Sequence, residues 1–350
     1  MKPKPSIQTL KPYKTKDLNY LVKLDANEAT RNILNNLKDM LPENLYLYPD
    51  NYADKLREYA AKYYNVTPNN LIAGNGSSEM IELVLKTFVD KDEVVLSFEP
   101  SFSMYRVFSE IYSAKFIPIE SRAPFEMNLQ ALLDTAQKTQ PKVIFLCTPN
   151  NPTGAIIPLR TIQTILENTE ALVIVDEAYI EFYDTTKSMI QFLNKYPNLV
   201  ILRTLSKAFG LAGIRLGFLI ANPSLVETLN MVKAPYNLNA LSQQFGIQAL
   251  KQRDTILPYL QSIKDARLEL YQTLKSLSIN VFTSYANFLF FESTVPNLFD
   301  KLLSHGILIR RYKDKLENYY RVSIGTNEEN TLFLTALKEV IENETNNTQS

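Results

Sequence analysis

Lys207 and Arg215, eight positions apart, are the two side chains of this sequence whose types and spacing best suit covalent chemistry on a phosphorylated ligand. Lys207 follows the apolar run at 199–202 and stands in a turn rich in hydroxyl groups and glycine. Burial beyond a strand lowers the pKa of a lysine and frees its amine as a nucleophile. Arg215, at the start of the next apolar run, brings a permanent planar charge that suits a phosphate. Together they favour Schiff-base chemistry on a phosphorylated aldehyde such as pyridoxal phosphate.

An isolated lysine after a strand is more often a solvated loop residue, because lysines are rarely buried. The prediction therefore depends on other segments that place complementary groups at strand ends. One of these, at 73–79, opens a helix with Gly76, Ser77 and Ser78. Free N–H groups at a helix N-terminus form an anion site, although ordinary helix capping explains the same residues.

Three further segments at strand ends match the needs of a flat heterocycle. Asp176 ends the apolar run at 171–175, where its carboxylate could keep a pyridine nitrogen protonated, and Tyr179 could bond a ring hydroxyl. Helix capping is the alternative role for Asp176. Phe102, in a turn between a strand and a helix, could stack on the ring or pack in the core. The turn at 147–154 presents amide side chains, Asn151 among them, beyond another strand; a purely structural turn is the alternative.

Composition excludes several classes of protein. Lys+Arg and Asp+Glu both number 37, so no net charge favours nucleic acid or an anionic membrane as a partner. His305 is the only histidine, which argues against a histidine-rich metal site, and we expect no metal. The single cysteine, Cys147, and an N-terminus without a signal-peptide pattern indicate a cytoplasmic protein. Acid–base chemistry would then fall to lysine, tyrosine or a cofactor.

Helical and apolar-strand segments alternate from about 75 to 222, which predicts an α/β fold with a mostly parallel central sheet flanked by helices. Ligands of such sheets bind beyond the carboxyl ends of the strands. Residues 242–274 are predicted as one long linking helix, and 281–292, 307–311 and 320–324 as strands of a smaller α+β domain. We expect an N-terminal arm and part of the small domain at 1–40, the large cofactor domain at 41–240, and the linking helix and small domain at 241–350.

The order and placement of these motifs resemble the fold-type I pyridoxal-phosphate aminotransferases. Within them, the chain resembles the histidinol-phosphate aminotransferase family over nearly its whole length. The segments that carry the resemblance are 24–28, 48–50, 150–154, 176–179, 204–217, 234–238 and 321–326. The spacing of Lys207 and Arg215 with Asp176 upstream is the superfamily signature. The segments Asn27-Glu28, 48–50 and 235–238 point to the narrower family.

The resemblance implies pyridoxal 5'-phosphate as cofactor and a role for each motif. Lys207 would bond to the cofactor aldehyde and later move a proton, with Asp176 on the pyridine nitrogen and Tyr179 on the ring oxygen. The remaining cofactor-binding residues would be Gly76, Ser77, Ser78, Phe102, Asn151, Thr204, Ser206, Arg215 and, from the second subunit of a homodimer, Tyr48. The family often has an acidic residue at position 78 and a tyrosine at position 102, so this chain departs from the pattern at both.

The resemblance also implies the substrates: histidinol phosphate, with glutamate and 2-oxoglutarate, in histidine biosynthesis. Tyr13, Asn27, Arg310 and Arg321 would lie around the substrate. Arg321 also matches the arginine that related enzymes use for a carboxylate, and Arg310 would add charge for a phosphate, unless it is a solvated strand-end residue. An aromatic amino-acid aminotransferase or a threonine-phosphate decarboxylase on the same scaffold is the alternative, and a non-catalytic binding protein or regulator is the less favoured one.

Overall fold

The computed structural model describes residues 4–8, 10, 18–32, 34, 40–42 and 44–349. Within them, the strands are β1 (Val22–Lys23), β2 (Leu71–Asn75), β3 (Val94–Glu99), β4 (Lys115–Glu120), β5 (Val143–Cys147), β6 (Leu172–Asp176), β7 (Leu199–Thr204), β8 (Leu216–Ala221), β9 (Asn280–Val281), β10 (Phe288–Glu292), β11 (Ile307–Leu308), β12 (Arg310–Arg311) and β13 (Tyr319–Ser323). The α-helices are α1 (Asp54–Tyr64), α2 (Gly76–Phe88), α3 (Met104–Ile111), α4 (Leu129–Thr139), α5 (Leu159–Glu167), α6 (Pro223–Asn230), α7 (Ala240–Lys251), α8 (Leu257–Ser276), α9 (Leu298–Ser304) and α10 (Asn327–Gln349).

In this described part of the chain, seven strands form one sheet in the order β2-β8-β7-β6-β5-β3-β4. The neighbours from β4 to β7 pair in parallel, and β8 pairs antiparallel with both β7 and β2. In β6, Val173 and Val175 enter one apolar cluster while Leu172 and Ile174 enter another. Because successive side chains of a strand point to opposite faces, both faces are covered. The predicted α/β fold with a mostly parallel sheet is confirmed.

The pairing register brings several predicted site residues to one edge of this sheet. Cys147 at the end of β5 pairs with Asp176 at the end of β6, which pairs with Leu202 of β7. Thr204, the last residue of β7, pairs with Gly217. The carboxyl ends of β5, β6 and β7 therefore open onto the space that Lys207 enters.

The described residues form two smaller sheets as well, and one of these joins strands from both ends of the chain. One has the order β12-β13-β10-β9, and in the other β1 pairs in parallel with β11, so that Val22 faces Ile307. Segment 307–311 is thus two strands with different partners, and the predicted single strand is wrong. Segment 281–292 likewise divides into β9 and β10, separated by a loop.

The predicted long helix at 242–274 is also wrong, because α7 ends at Lys251 and α8 begins at Leu257, with a 3-10 turn at Arg253–Ile256 between them. Pro258 stands in the first turn of α8. Proline lacks an N–H and clashes inside a helix, yet it fits a first turn, so the chain restarts there. Among the described residues, no helix is both long and apolar enough to cross a membrane.

Candidate active site

The Lys207 amine lies in a buried position where it makes hydrogen bonds with backbone oxygens. Its Nζ donates to the carbonyl oxygen of Ala26 at 3.0 Å and to that of Asn27 at 3.3 Å. Burial, and then the nearby charge of Arg321, lowers the pKa of Lys207 to about 7. A large share of the amine is therefore neutral near pH 7 and available as a nucleophile or base.

Asp176 presents a buried carboxylate that is held at both of its oxygens. The hydroxyl of Tyr105 donates to Oδ2 at 2.8 Å, and the backbone N–H of Ala178 donates to Oδ1 at 3.1 Å. Burial raises the pKa of Asp176, while these two donors and the Lys207 charge act in the opposite direction. The donors fix the direction of the carboxylate and favour its ionised form.

Tyr179 completes the group around Lys207. Its ring centroid lies 5.7 Å from Lys207 Nζ, and its hydroxyl accepts a hydrogen bond from Asn27 Nδ2 at 3.0 Å. Burial raises the pKa of Tyr179 well above its usual value, so the hydroxyl keeps its proton. Because the hydroxyl accepts from Asn27, its own proton remains available to donate to a ligand oxygen.

Arg321 connects the amide turn to the N-terminal segment. Its Nη1 donates to Asn151 Oδ1 at 2.5 Å, and its Nη2 donates to the carbonyl oxygen of Asp25 at 2.6 Å. Since the guanidinium takes the amide oxygen, the Asn151 nitrogen is left as a donor. Arg310 is exposed and sits opposite Arg321 in the β12–β13 register. The structure thus brings the two predicted substrate arginines onto neighbouring strands.

The N-terminus of α2 forms a cradle against the start of β8. A Cβ atom at Gly76 would lie 2.7 Å from Arg215 Nη2, and one at Gly217 would lie 2.4 Å from the backbone nitrogen of Ser77. Glycine is required at position 217 because the atom it approaches belongs to the backbone, and it is favoured at position 76 by a φ of +73°. The cradle therefore places the free N–H groups of a 13-residue helix beside a guanidinium, which is an anion site. Ser77 and Ser78 stand half-buried in its first turn.

Two further predicted residues lie at the end of β7 beneath this cradle. Thr204 Oγ1 accepts from the backbone N–H of Ser206 at 3.1 Å and donates to the Leu216 carbonyl at 3.2 Å. Both side chains are buried. These bonds fix the turn that carries the chain from β7 to Lys207.

Phe102 and Tyr48 are more exposed than Asp176 and Tyr179. Phe102 is half-buried and meets the Tyr105 ring edge-on at 5.5 Å between centroids. Tyr48 is 82% exposed and stacks on Tyr236 at 4.8 Å. Tyr48 thus lies on the surface of the single chain. Tyr13 lies outside the described residues.

Sequence reasoning did not find two residues that hold Asn27. Its backbone N–H donates to Ser323 Oγ at 2.9 Å, and its carbonyl oxygen accepts from Asn287 Nδ2 at 3.1 Å. Asn27 has a φ of 53°, a left-handed conformation that asparagine tolerates. The sequence signal that could have identified Asn287 is its position directly before the apolar run that forms β10. In the structure Asn287 is fully buried.

Comparisons with known proteins identify the family of this chain. The family model described as aminotransferase class I and II matches residues 20–337. The chain is 37% identical to the histidinol-phosphate aminotransferase of Caldanaerobacter subterraneus subsp. tengcongensis, covering 96% of this chain and 97% of that one. It is 37% identical to histidinol-phosphate aminotransferase 1 of Carboxydothermus hydrogenoformans, covering 97% and 98%.

Solved structures share the fold. The histidinol-phosphate aminotransferase of Clostridium acetobutylicum superposes with a TM-score of 0.85 at 27% identity, over 92% of this chain and all (100%) of that one. The enzyme of that name from Sinorhizobium meliloti, in complex with pyridoxal-5'-phosphate, gives a TM-score of 0.89 over 97% of each chain. At 21% identity, the latter likeness shows the fold alone.

The chain belongs to the class I and II aminotransferases. Membership of this family confirms the predicted enzyme class and its pyridoxal phosphate cofactor. The described residues fit that group, because the glycine cradle beside Arg215 accepts a phosphate and buried Asp176 offers an anion for a pyridinium. Lys207, whose pKa is lowered to about 7, is the amine available to the cofactor aldehyde.

Proposed function

We propose that this protein transfers an amino group between histidinol phosphate and 2-oxoglutarate, with pyridoxal 5'-phosphate as cofactor, in histidine biosynthesis. The observation that carries the chemistry is the Lys207 amine near Asp176 and Arg321, with its pKa lowered to about 7 by burial and by the Arg321 charge. The identity of the substrate is supported by relatives of 34–37% identity that are named histidinol-phosphate aminotransferase.

In this proposal, different side chains act on different atoms of the cofactor and the substrate. When bound, pyridoxal phosphate supplies an electron-withdrawing ring that stabilises negative charge on the substrate carbon beside the nitrogen. Asp176 holds the proton on the pyridine nitrogen, and the Tyr179 hydroxyl and the Asn151 amide nitrogen donate to the ring oxygen. Lys207 Nζ, whose pKa of about 7 leaves a large share of the amine unprotonated near pH 7, removes the proton from the substrate carbon that carries the amino group.

The phosphates of cofactor and substrate bind at different places in this proposal. The cofactor phosphate is held by Arg215, Ser206 and the first turn of α2. The substrate phosphate is held by Arg321 and Arg310, whose register pairing places two guanidinium groups on adjacent strands. A dianion favours two such partners, and the carboxylate of glutamate can use Arg321 alone. Asn27 and Tyr13 belong to the same substrate side.

A half-reaction spectrum tests the substrate. Histidinol phosphate, phenylalanine or threonine phosphate is added to the cofactor-loaded protein without a keto acid, and conversion to the pyridoxamine form is followed by absorbance. We expect fast conversion with histidinol phosphate. Absence of conversion with histidinol phosphate, together with conversion by phenylalanine, would move the assignment to an aromatic aminotransferase. Release of carbon dioxide from threonine phosphate would move it to the decarboxylase.

The proposal includes a homodimer in which Tyr48 reaches the cofactor phosphate of the second subunit. It is supported by the exposure of Tyr48 and of neighbouring Tyr46, at 82% and 83%, since large exposed aromatic groups mark interfaces. Mixing inactive Lys207→Ala with impaired Tyr48→Phe subunits restores one complete site in each hybrid dimer. Random exchange would return about a quarter of the wild-type activity, because half of the dimers are hybrids. No recovery in subunits shown to exchange would contradict the shared site.

The division of the chain and its location complete the proposal. All strands of the seven-stranded sheet in the described residues lie within 41–240, whereas the smaller sheets draw on 22–23 and 280–323. This supports a cofactor domain at 41–240 and a small domain made from 1–40 and 241–350. The biosynthetic role supports a cytoplasmic location.

A further inference from the structure

Tyr105, in α3, touches two residues of the proposed cofactor site at once. Its hydroxyl donates to Asp176 Oδ2 at 2.8 Å, and its ring meets Phe102 edge-on at 5.5 Å. The same ring stacks on Phe145, with centroids 4.6 Å apart and planes inclined by 2°. The side chain is 1% exposed. Because these contacts hold the ring, its hydroxyl points in a fixed direction, towards Asp176.

We propose that Tyr105 is a positioning residue for the transamination: its hydroxyl orients the Asp176 carboxylate and keeps it ionised for a pyridine N–H. This inference rests on the proposed function, because it assigns Asp176 to the cofactor ring. Tyr105 does not contact the reacting atoms itself. It acts through Asp176.

The groups that face Asp176 explain why one hydroxyl matters. They are Tyr105 from α3, Cys147 from β5, Tyr179 beyond β6 and Lys207 beyond β7. Burial raises the pKa of Tyr105, Cys147 and Tyr179 well above the usual values, so these three are neutral near pH 7. Lys207, with a pKa of about 7, is only partly charged there. Hydrogen bonds must therefore offset much of the cost of burying the carboxylate.

Only the charged form of Asp176 stabilises a protonated pyridine. Removal of the Tyr105 hydroxyl would leave the Ala178 N–H as the hydrogen bond that the described structure gives this carboxylate. Asp176 would then take up a proton at a higher pH, because burial favours the neutral acid. The Oδ2 end of the carboxylate would also be released to turn.

The test measures cofactor affinity against pH in Tyr105→Phe, which keeps the ring and its stacking. All proteins in this test carry Lys207→Ala, because Lys207 has a pKa of about 7 and would itself set an acid limb. Each apoprotein is titrated with pyridoxal phosphate, and the pH at which affinity falls on acidification is recorded. We expect this acid limb to move up by about one to two pH units, the scale of a hydrogen bond to a charged group. The matched control is Tyr112→Phe, which removes a hydroxyl that donates to Glu82 at 3.0 Å at the far end of α3. Its acid limb should stay where Lys207→Ala alone has it.

A double-mutant cycle separates positioning from packing. If Tyr105 acts through Asp176, the shift caused by Tyr105→Phe disappears in an Asp176→Asn background. An unshifted acid limb in Tyr105→Phe, or an equal loss of affinity in both backgrounds, overturns the inference. Failure of the wild-type apoprotein to bind pyridoxal phosphate would instead overturn the proposed function.

A second measurement applies if Tyr105→Phe shows no cooperative thermal transition. The wild-type apoprotein, labelled with ¹³C-carboxyl aspartate, is examined by infrared spectroscopy at pH 7. We expect an ionised carboxylate band that is lost in Asp176→Asn. A protonated carboxyl band that disappears in Asp176→Asn would overturn the inference, because Tyr105 would not be keeping the charge.

Discussion

The two ends of the proposed cofactor site are built in opposite ways. At the ring end, Asp176 and Tyr179 are 4% and 5% exposed, and both are held by hydrogen bonds from the same chain. At the phosphate end, Arg215 is exposed, and its Nη1 makes a long bond of 3.3 Å to the Ala212 carbonyl. Burial perturbs pKa values at the ring end, whereas the phosphate end is shaped by backbone. The side chains at the ring end are thus held by hydrogen bonds within one chain, and the phosphate end presents the exposed Arg215 guanidinium to an incoming anion.

The largest expected effect comes from Lys207, the proposed nucleophile and base. Lys207→Ala removes the nucleophile and the base, so turnover should fall by at least about 10³-fold. The visible absorbance of the covalent cofactor complex should also be lost. Steady-state assays and absorption spectra of the purified variant check both.

Lys195→Ala is the control for this change. Lys195 is an exposed lysine that pairs with Glu167 on the surface at 2.9 Å, and its loss should leave turnover unchanged. Retained turnover in Lys207→Ala would contradict the assigned role and remove the basis of the comparison.

An intermediate effect is expected at the phosphate end. Arg215→Ala removes a charged donor from the glycine cradle, and pyridoxal phosphate should bind about 10- to 100-fold more weakly, the range of a charge-assisted hydrogen bond. Turnover at saturating cofactor should fall much less, because the ring end is intact. Cofactor titration monitored by absorbance, with exposed Arg160→Ala as control, measures this. A loss confined to saturated turnover would mean that the two ends are not separable.

The smallest effect concerns the pH dependence of Lys207. Its pKa is lowered to about 7, so the amine loses its proton at a lower pH than an ordinary lysine. The rate at which apoprotein captures pyridoxal phosphate should rise through pH 7 and level off above about pH 8. Arg321→Gln removes a positive charge that disfavours the protonated amine, and the midpoint should move up by about one unit. Stopped-flow absorbance over pH 5–10 records the profile.

Arg310→Gln is the matched control, since Arg310 is exposed on the strand opposite Arg321. Solvent screens its charge, so the midpoint should barely move. A rate that still climbs at pH 9 in the wild type would show an unperturbed lysine. Equal shifts in the two arginine variants would show that burial does not set the difference.

Sequence patterns indicate the ring end more directly than the phosphate end for a physical reason. Asp176, Tyr179 and Lys207 follow runs of apolar residues, and such runs report burial and strand ends directly. The cradle at Gly76 depends on the antiparallel pairing of β2 with β8, which connects residues about 140 positions apart, as Gly74 and Gly217 show. Periodicity along the chain carries no information about that pairing.

Two errors in the predicted secondary structure have different origins. The single strand expected at 307–311 changes partner at Ile309, and only the positions of β1 and β13 decide this. The helix expected at 242–274 is interrupted at a proline that the sequence does show, so that error was avoidable. Asn287 and Tyr105 gained their roles from partners far away in the chain.

The sequence by itself determined the chemistry of this protein: a lysine, a carboxylate, a tyrosine and an arginine, each at the end of a strand or turn that apolar runs define. It also determined an α/β fold, because short buried runs alternate with helices. Only the tertiary structure decided which groups tune the others. The pKa of Lys207 and the charge state of Asp176 depend on burial and on hydrogen bonds from distant segments. This burial and these hydrogen bonds exist only once the sheet has formed.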